Sequence, residues 1–76
     1  MIEYKTWPPP EDWTSVPVAW DWLMGHHTRD PNVIYNWVIR EPGGRFHLSG
    51  LMDQGGFDYR FERPRDATWF RLNLPR

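Results

Sequence analysis

Three observations place this chain in the α+β class. One stretch carries apolar residues at helical spacing, the stretches after it alternate with period two between turn signals, and the registers of those alternating runs agree on one apolar face. The architecture they predict is a four-stranded antiparallel meander with one helix packed on its apolar face, and Met1 to Trp7 admitted as a fifth, N-terminal edge strand.

Met1 to Trp7 alternates, with Ile2, Tyr4 and Thr6 on one side and Glu3, Lys5 and Trp7 on the other, which permits a short edge strand. Pro8, Pro9 and Pro10 then fix three φ angles in a row, so this segment is a stiff connector and neither helix nor central strand. From Thr14 the period changes. Val16, Ala19, Trp20, Leu23, Met24 and His27 fall at i, i+3, i+4, i+7, i+8 and i+11, the stripe of one helix face. Thr14 or Ser15 supplies a cap, Pro17 fits the first turn, and Gly25 to Pro31 supplies the stop, so the helix is expected to end near His27.

After Asn32 the spacing reads as strand. Val33, Tyr35, Trp37 and Ile39 alternate with Ile34, Asn36, Val38 and Arg40, and Glu41-Pro42-Gly43-Gly44 reads as a hairpin loop. The next run sets Phe46 and Leu48 against Arg45, His47 and Ser49. Leu51 to Gly56 turns the chain, and the third run sets Phe57, Tyr59 and Phe61 against Asp58, Arg60 and Glu62. Arg63 to Ala67 is read as a turn into a fourth run, with Phe70, Leu72 and Leu74 against Trp69, Arg71 and Asn73. In this register Ile39 meets Phe46, Phe46 meets Phe61, Leu48 meets Tyr59, and Phe61 meets Phe70, so one face is apolar across all four strands.

Size limits what such a domain can do. The 76 residues are expected to form a single small domain, 1–76, that buries roughly 60% of its unfolded surface and has no room for a buried, walled cofactor cavity. There is no cysteine, which removes disulfides, thiolate nucleophiles and sulfur-bound zinc together. His26, His27, His47 and Asp30 invite a metal, but adjacent histidines point about 100° apart on a helix and no spacing sets two ligands on one face. No nucleophile elbow or phosphate-cradling loop is present, and the Gly43-Gly44 and Gly55-Gly56 pairs sit between expected strands. The reading is therefore a non-enzyme without cofactor or metal. The longest uncharged run, Pro31 to Ile39, falls short of the roughly 20 residues of a membrane span, and the expected location is the cytoplasm.

The expected outer face of the meander gathers Arg40, Arg45, His47, Arg60, Trp69 and Arg71 among Glu62, Asp58, Asn36 and Ser49. Arg60 is expected opposite Arg71, and Arg40 opposite Arg45. Like charges across a ladder need nearby carboxylates, with Glu62 beside Arg45 and Asp58 near Arg60, or an external anion. Arginine supplies eight of the nine bases, and six tryptophans exceed what so small a core can bury, which leaves one or two of Trp7, Trp13, Trp22 and Trp69 exposed. Residues 1–38 hold two bases and five acids, net −3; residues 39–76 hold seven bases and five acids, net +2.

Surplus Trp, Tyr and Arg are the residue types of binding hot spots. The function expected is a protein-binding module contacting its partner through Arg40, Arg45, Arg60, Trp69 and Arg71, with Trp22 as a second patch. Two alternatives are single-stranded nucleic-acid binding, with Trp69 and the arginines stacking bases and holding phosphates, and a structural subunit of a larger complex. Net charge −1 disfavours the first of these. In general character, though on no specific residues, the chain looks like the small proteins that phages and mobile elements direct against host machinery, anti-CRISPR proteins among them. That likeness implies an inhibitor that sterically blocks a large effector, including a nucleoprotein complex. The chain is expected to act as a monomer or as a homodimer joined through sheet edges.

Overall fold

The computed structural model describes residues 1–19, 31–50 and 55–74. In chain order its elements are β1 (Ile2–Glu3), β2 (Thr14–Ala19), α1 (Pro31–Arg40), β3 (Arg45–Gly50), β4 (Gly56–Phe61) and α2 (Pro64–Asn73). The four strands form one sheet in the order β1-β3-β4-β2. The pair β1–β3 is parallel and the other two are antiparallel, so the sheet is mixed and is not the antiparallel meander expected. The α+β class holds, and three elements change type.

Thr14–Ala19, expected as the start of the helix, is a strand. Thr14, Val16 and Val18 are β-branched and suit a pleated surface, and Val16 and Val18 are buried while Ser15 and Pro17 are exposed, a period of two. The rest of the expected helix, including Trp22, His26 and His27, lies outside the described residues. Pro31–Arg40, expected as a strand, is helix α1. Pro31 occupies its first position, where a fixed φ suits the helix and no N–H is required. Ile34 and Val38, four apart, are buried at 3% and 0%, whereas Val33 and Ile39 of the alternating set are exposed. Residues 64–73, expected as the fourth strand, form α2, again with proline at the start. Ala67 and Phe70 are buried three apart, and Leu74 packs against the same core.

Between these elements the hairpin follows its expected register, with Phe46 opposite Phe61 and Leu48 opposite Tyr59. Gly55 and Gly56 enter β4 at φ 68° and 132°, backbone that a side chain would strain. Phe46, Tyr59 and Phe61 of the sheet join Val16, Val18, Ile34, Val38, Ala67, Phe70 and Met1 in one core. Helix α2 contacts β2 and β4. Trp37 of α1 lies 4.5 Å from Trp69 and 5.8 Å from Phe70, ring centroid to centroid, so the two helices touch through these side chains.

Short polar contacts fasten the ends. The Met1 ammonium donates to the carbonyls of Val38, Ile39 and Glu41 at the end of α1, where helix carbonyls otherwise lack donors. Buried Asp66, in the first turn of α2, accepts the Gly44 N–H at 3.0 Å and so ties the 43–44 turn to that helix.

Among the described residues β2 ends the sheet, and its outer edge is blunted. The Ser15 carbonyl accepts from Arg71 at a long 3.5 Å, so it faces outward from the sheet, and Pro17, two residues on, presents its hydrogen-free nitrogen to the same side.

Candidate functional site

Strand alternation sends Arg45, His47 and Ser49 of β3, Asp58 and Arg60 of β4, and Ser15 and Pro17 of β2 to the face away from the helices. The chain between β1 and β2 crosses this face. It carries Tyr4, Trp7 and Trp13, turns at a cis Trp7–Pro8 bond, and buries Pro9. Tyr4 and Trp13 meet edge to face at 5.2 Å. His47 lies beneath Tyr4 at 6.3 Å and Trp7 at 5.7 Å, leaving it only 4% exposed although its strand position points away from the core. Its Nδ1 is buried with no hydrogen-bond partner among the described residues.

Two arginines are held on this face by different means. The Arg45 guanidinium lies 5.7 Å from the Tyr4 ring and 5.4 Å from the Trp13 ring, within cation–π range, and bonds Glu62 at 2.5 and 3.1 Å. That hydrogen bond holds the Glu62 carboxyl below its ordinary range and makes the Arg45 proton harder to remove. Arg60 donates to Asp58 at 2.9 Å. Asp58 is 5% exposed, and its other oxygen accepts the Ser15 hydroxyl, so both oxygens of this buried carboxylate are occupied.

Of the residues singled out from the sequence, Arg45 and Arg60 stand on this face, each beside the carboxylate expected to balance it. Arg71, exposed on α2, reaches the same region through the Ser15 carbonyl; since residues 64–73 are helix, it does not sit opposite Arg60. In the sheet Arg60 pairs with Ser15 on one side and His47 on the other. Arg40 ends α1, where a cation complements the helix dipole, and so is not across a ladder from Arg45. Trp69 is half-buried in the helix layer against Trp37, away from the outer face. Trp22 lies outside the described residues. The residue that sequence periodicity undervalued is Trp7, 71% exposed over this face. Its signal was composition, one of too many tryptophans for the core, and the stiff prolines behind it.

Compared with protein-family models, curated proteins and solved structures, the chain matches none of them. No helix among the described residues is long and apolar enough to cross a membrane.

Proposed function

We propose that the protein is a small, non-enzymatic binding module that recognises another protein through the outer face of its sheet, with Trp7 as the anchor and Arg45 and Arg60 beside it. The observation that carries this reading is the 71% exposure of Trp7 on a segment whose neighbours, Tyr4 and Trp13, are packed down. A mostly exposed indole on the same face as two ordered guanidiniums is the composition of a hot spot before its partner arrives. Arg71 lies at the β2 edge of that surface and extends it.

Charge favours a protein partner over a nucleic-acid strand. Arg45 and Arg60 are each already neutralised by a carboxylate, so a phosphate would have to displace Glu62 or Asp58. The blunted β2 edge favours side-chain recognition over strand addition. Steric occlusion of a larger complex, the use expected from size and composition, is the mode consistent with such a face.

The test is affinity capture from source-cell lysate at moderate salt with nuclease present, using the wild-type chain and a Trp7→Ala/Arg60→Ser variant of equal melting temperature. A discrete protein set held by wild type and lost by the variant, with affinity at least about tenfold weaker, is the expected result. Equal retention by both removes this face from the reading, and retention that disappears with nuclease transfers it to nucleic acid.

A further inference from the structure

On the opposite side of the sheet, between α1 and strands β1, β3 and β4, lies a cleft of about 510 Å³ lined by Glu3, Asn32, Tyr35, Leu48, Phe57 and Tyr59. Its size is that of a small-ligand site, a range of roughly 300–1,000 Å³. Its chemistry is unusually one-sided. Three aromatic rings and a leucine form the wall, one amide stands in the first turn of α1, and Glu3 is the single formally charged residue of the lining.

Glu3 is positioned for a ligand. Its pairing with Phe46 in the β1–β3 ladder turns the side chain toward α1, where Tyr35 donates its hydroxyl to one carboxylate oxygen at 2.5 Å. Among the described residues no lysine or arginine pairs with it, and the two ion pairs there both belong to the other face. Both phenols hold their protons more tightly than free tyrosine, Tyr35 through its bond to Glu3 and Tyr59 through burial. Glu3 is the one carboxylate in the lining.

An anion would meet that carboxylate, and an uncharged guest would strip its water without replacing it. A cation with an apolar collar satisfies both parts of the lining, since aromatic faces attract such a charge and the carboxylate neutralises it. We propose that this cleft binds an organic ammonium ion, a quaternary or methylated amine, with the charged head against Glu3 and its methyl groups on Tyr35, Leu48 and Phe57. The site is independent of the interface proposed above, because Trp7 and the cleft lie on opposite faces of the sheet.

The test is an NMR titration of the intact chain with choline and with its uncharged isostere 3,3-dimethylbutan-1-ol, following the side-chain resonances of Tyr35, Leu48 and Phe57. Choline is expected to bind saturably and at least about tenfold more tightly than the alcohol, a difference of roughly 1.4 kcal/mol. The Glu3→Gln variant, which keeps an acceptor for the Tyr35 hydroxyl, should bring choline down to the level of the alcohol without changing the melting curve. Choline that moves none of these resonances up to about 0.1 M, the scale of one isolated cation–π contact, overturns the proposal. Equal binding of choline and alcohol by the wild-type chain overturns it as well, whatever the variant does.

Discussion

On the helix-covered face Phe46, Tyr59, Phe61 and Phe70 stand 4.9 to 6.5 Å apart by ring centroid, and Phe46, Phe61 and Phe70 have no measurable exposure. On the outer face the aromatic residues Tyr4, Trp7 and Trp13 are laid over polar side chains, His47, Arg45 and, through the ladder, Arg60 and Asp58. The first face is held by filled volume, where each lost atom leaves a cavity. The second is held by the Arg45–Glu62 and Arg60–Asp58 pairs, with a buried His47 beneath the aromatic rings and the Trp7 indole mostly in solvent. The two faces of this 76-residue chain are thus held together by different means.

Breaking the comparison is simplest at its strongest point. Phe61→Ala should cost about 3–5 kcal/mol, enough to leave so small a domain largely unfolded in a denaturant titration. A normal unfolding curve would mean that the helix-covered face is not the core. Asp58→Ala should cost less, about 1–3 kcal/mol, because it strands the Ser15 hydroxyl and frees Arg60 without opening a large cavity. An unchanged melting temperature for that variant would show that the buried carboxylate holds nothing.

Tyr59 offers a sharper distinction through pH. Burial raises its phenol above the ordinary value, so the unfolded chain releases this proton first as the solution is made alkaline. The contribution is fully present below about pH 10 and is lost as pH rises beyond it. Wild type should lose stability from about pH 10 upward more steeply than Tyr59→Phe, whose alkaline limb should be flatter; identical slopes would place the ring in water. Smallest of all, Trp7→Ala should change stability by no more than about 0.5 kcal/mol, as expected of a side chain mostly in solvent. A larger loss in the same unfolding assay would make Trp7 part of the packing and remove it as a free anchor.

The hairpin was legible because Phe46 and Leu48 against Arg45 and His47, and Tyr59 and Phe61 against Asp58 and Arg60, alternate without ambiguity between two glycine-containing turns. The helices were not. Residues 33–39 are apolar at almost every position, so a period of two and the Ile34–Val38 spacing of four fit equally, and long-range burial decides between them. Pro31 and Pro64 read as stops when each is a helix's first residue, the one place in a helix where proline costs nothing. In Thr14–Ala19 the chance match of Val16 and Ala19 to a helical stripe outweighed three β-branched residues. The site divides in the same way. Arg45 and Arg60, with their carboxylate neighbours, followed from strand alternation. Trp7 did not, because its place depends on residues 4–13 crossing the face of a sheet whose central strands come from residues 45–61. Arg40, Trp69 and Arg71 moved when their strands became helices.

The central claim is that one face of the sheet folds the molecule and the other meets its partner. Hydrogen–deuterium exchange on the chain, free and in complex with the captured protein, tests it most directly. The account predicts that protection is gained at residues 4–13 and along the outer-face positions of β3 and β4, while α1 and α2 exchange as in the free chain. Protection gained on α1 and α2, with residues 4–13 unchanged, would contradict it.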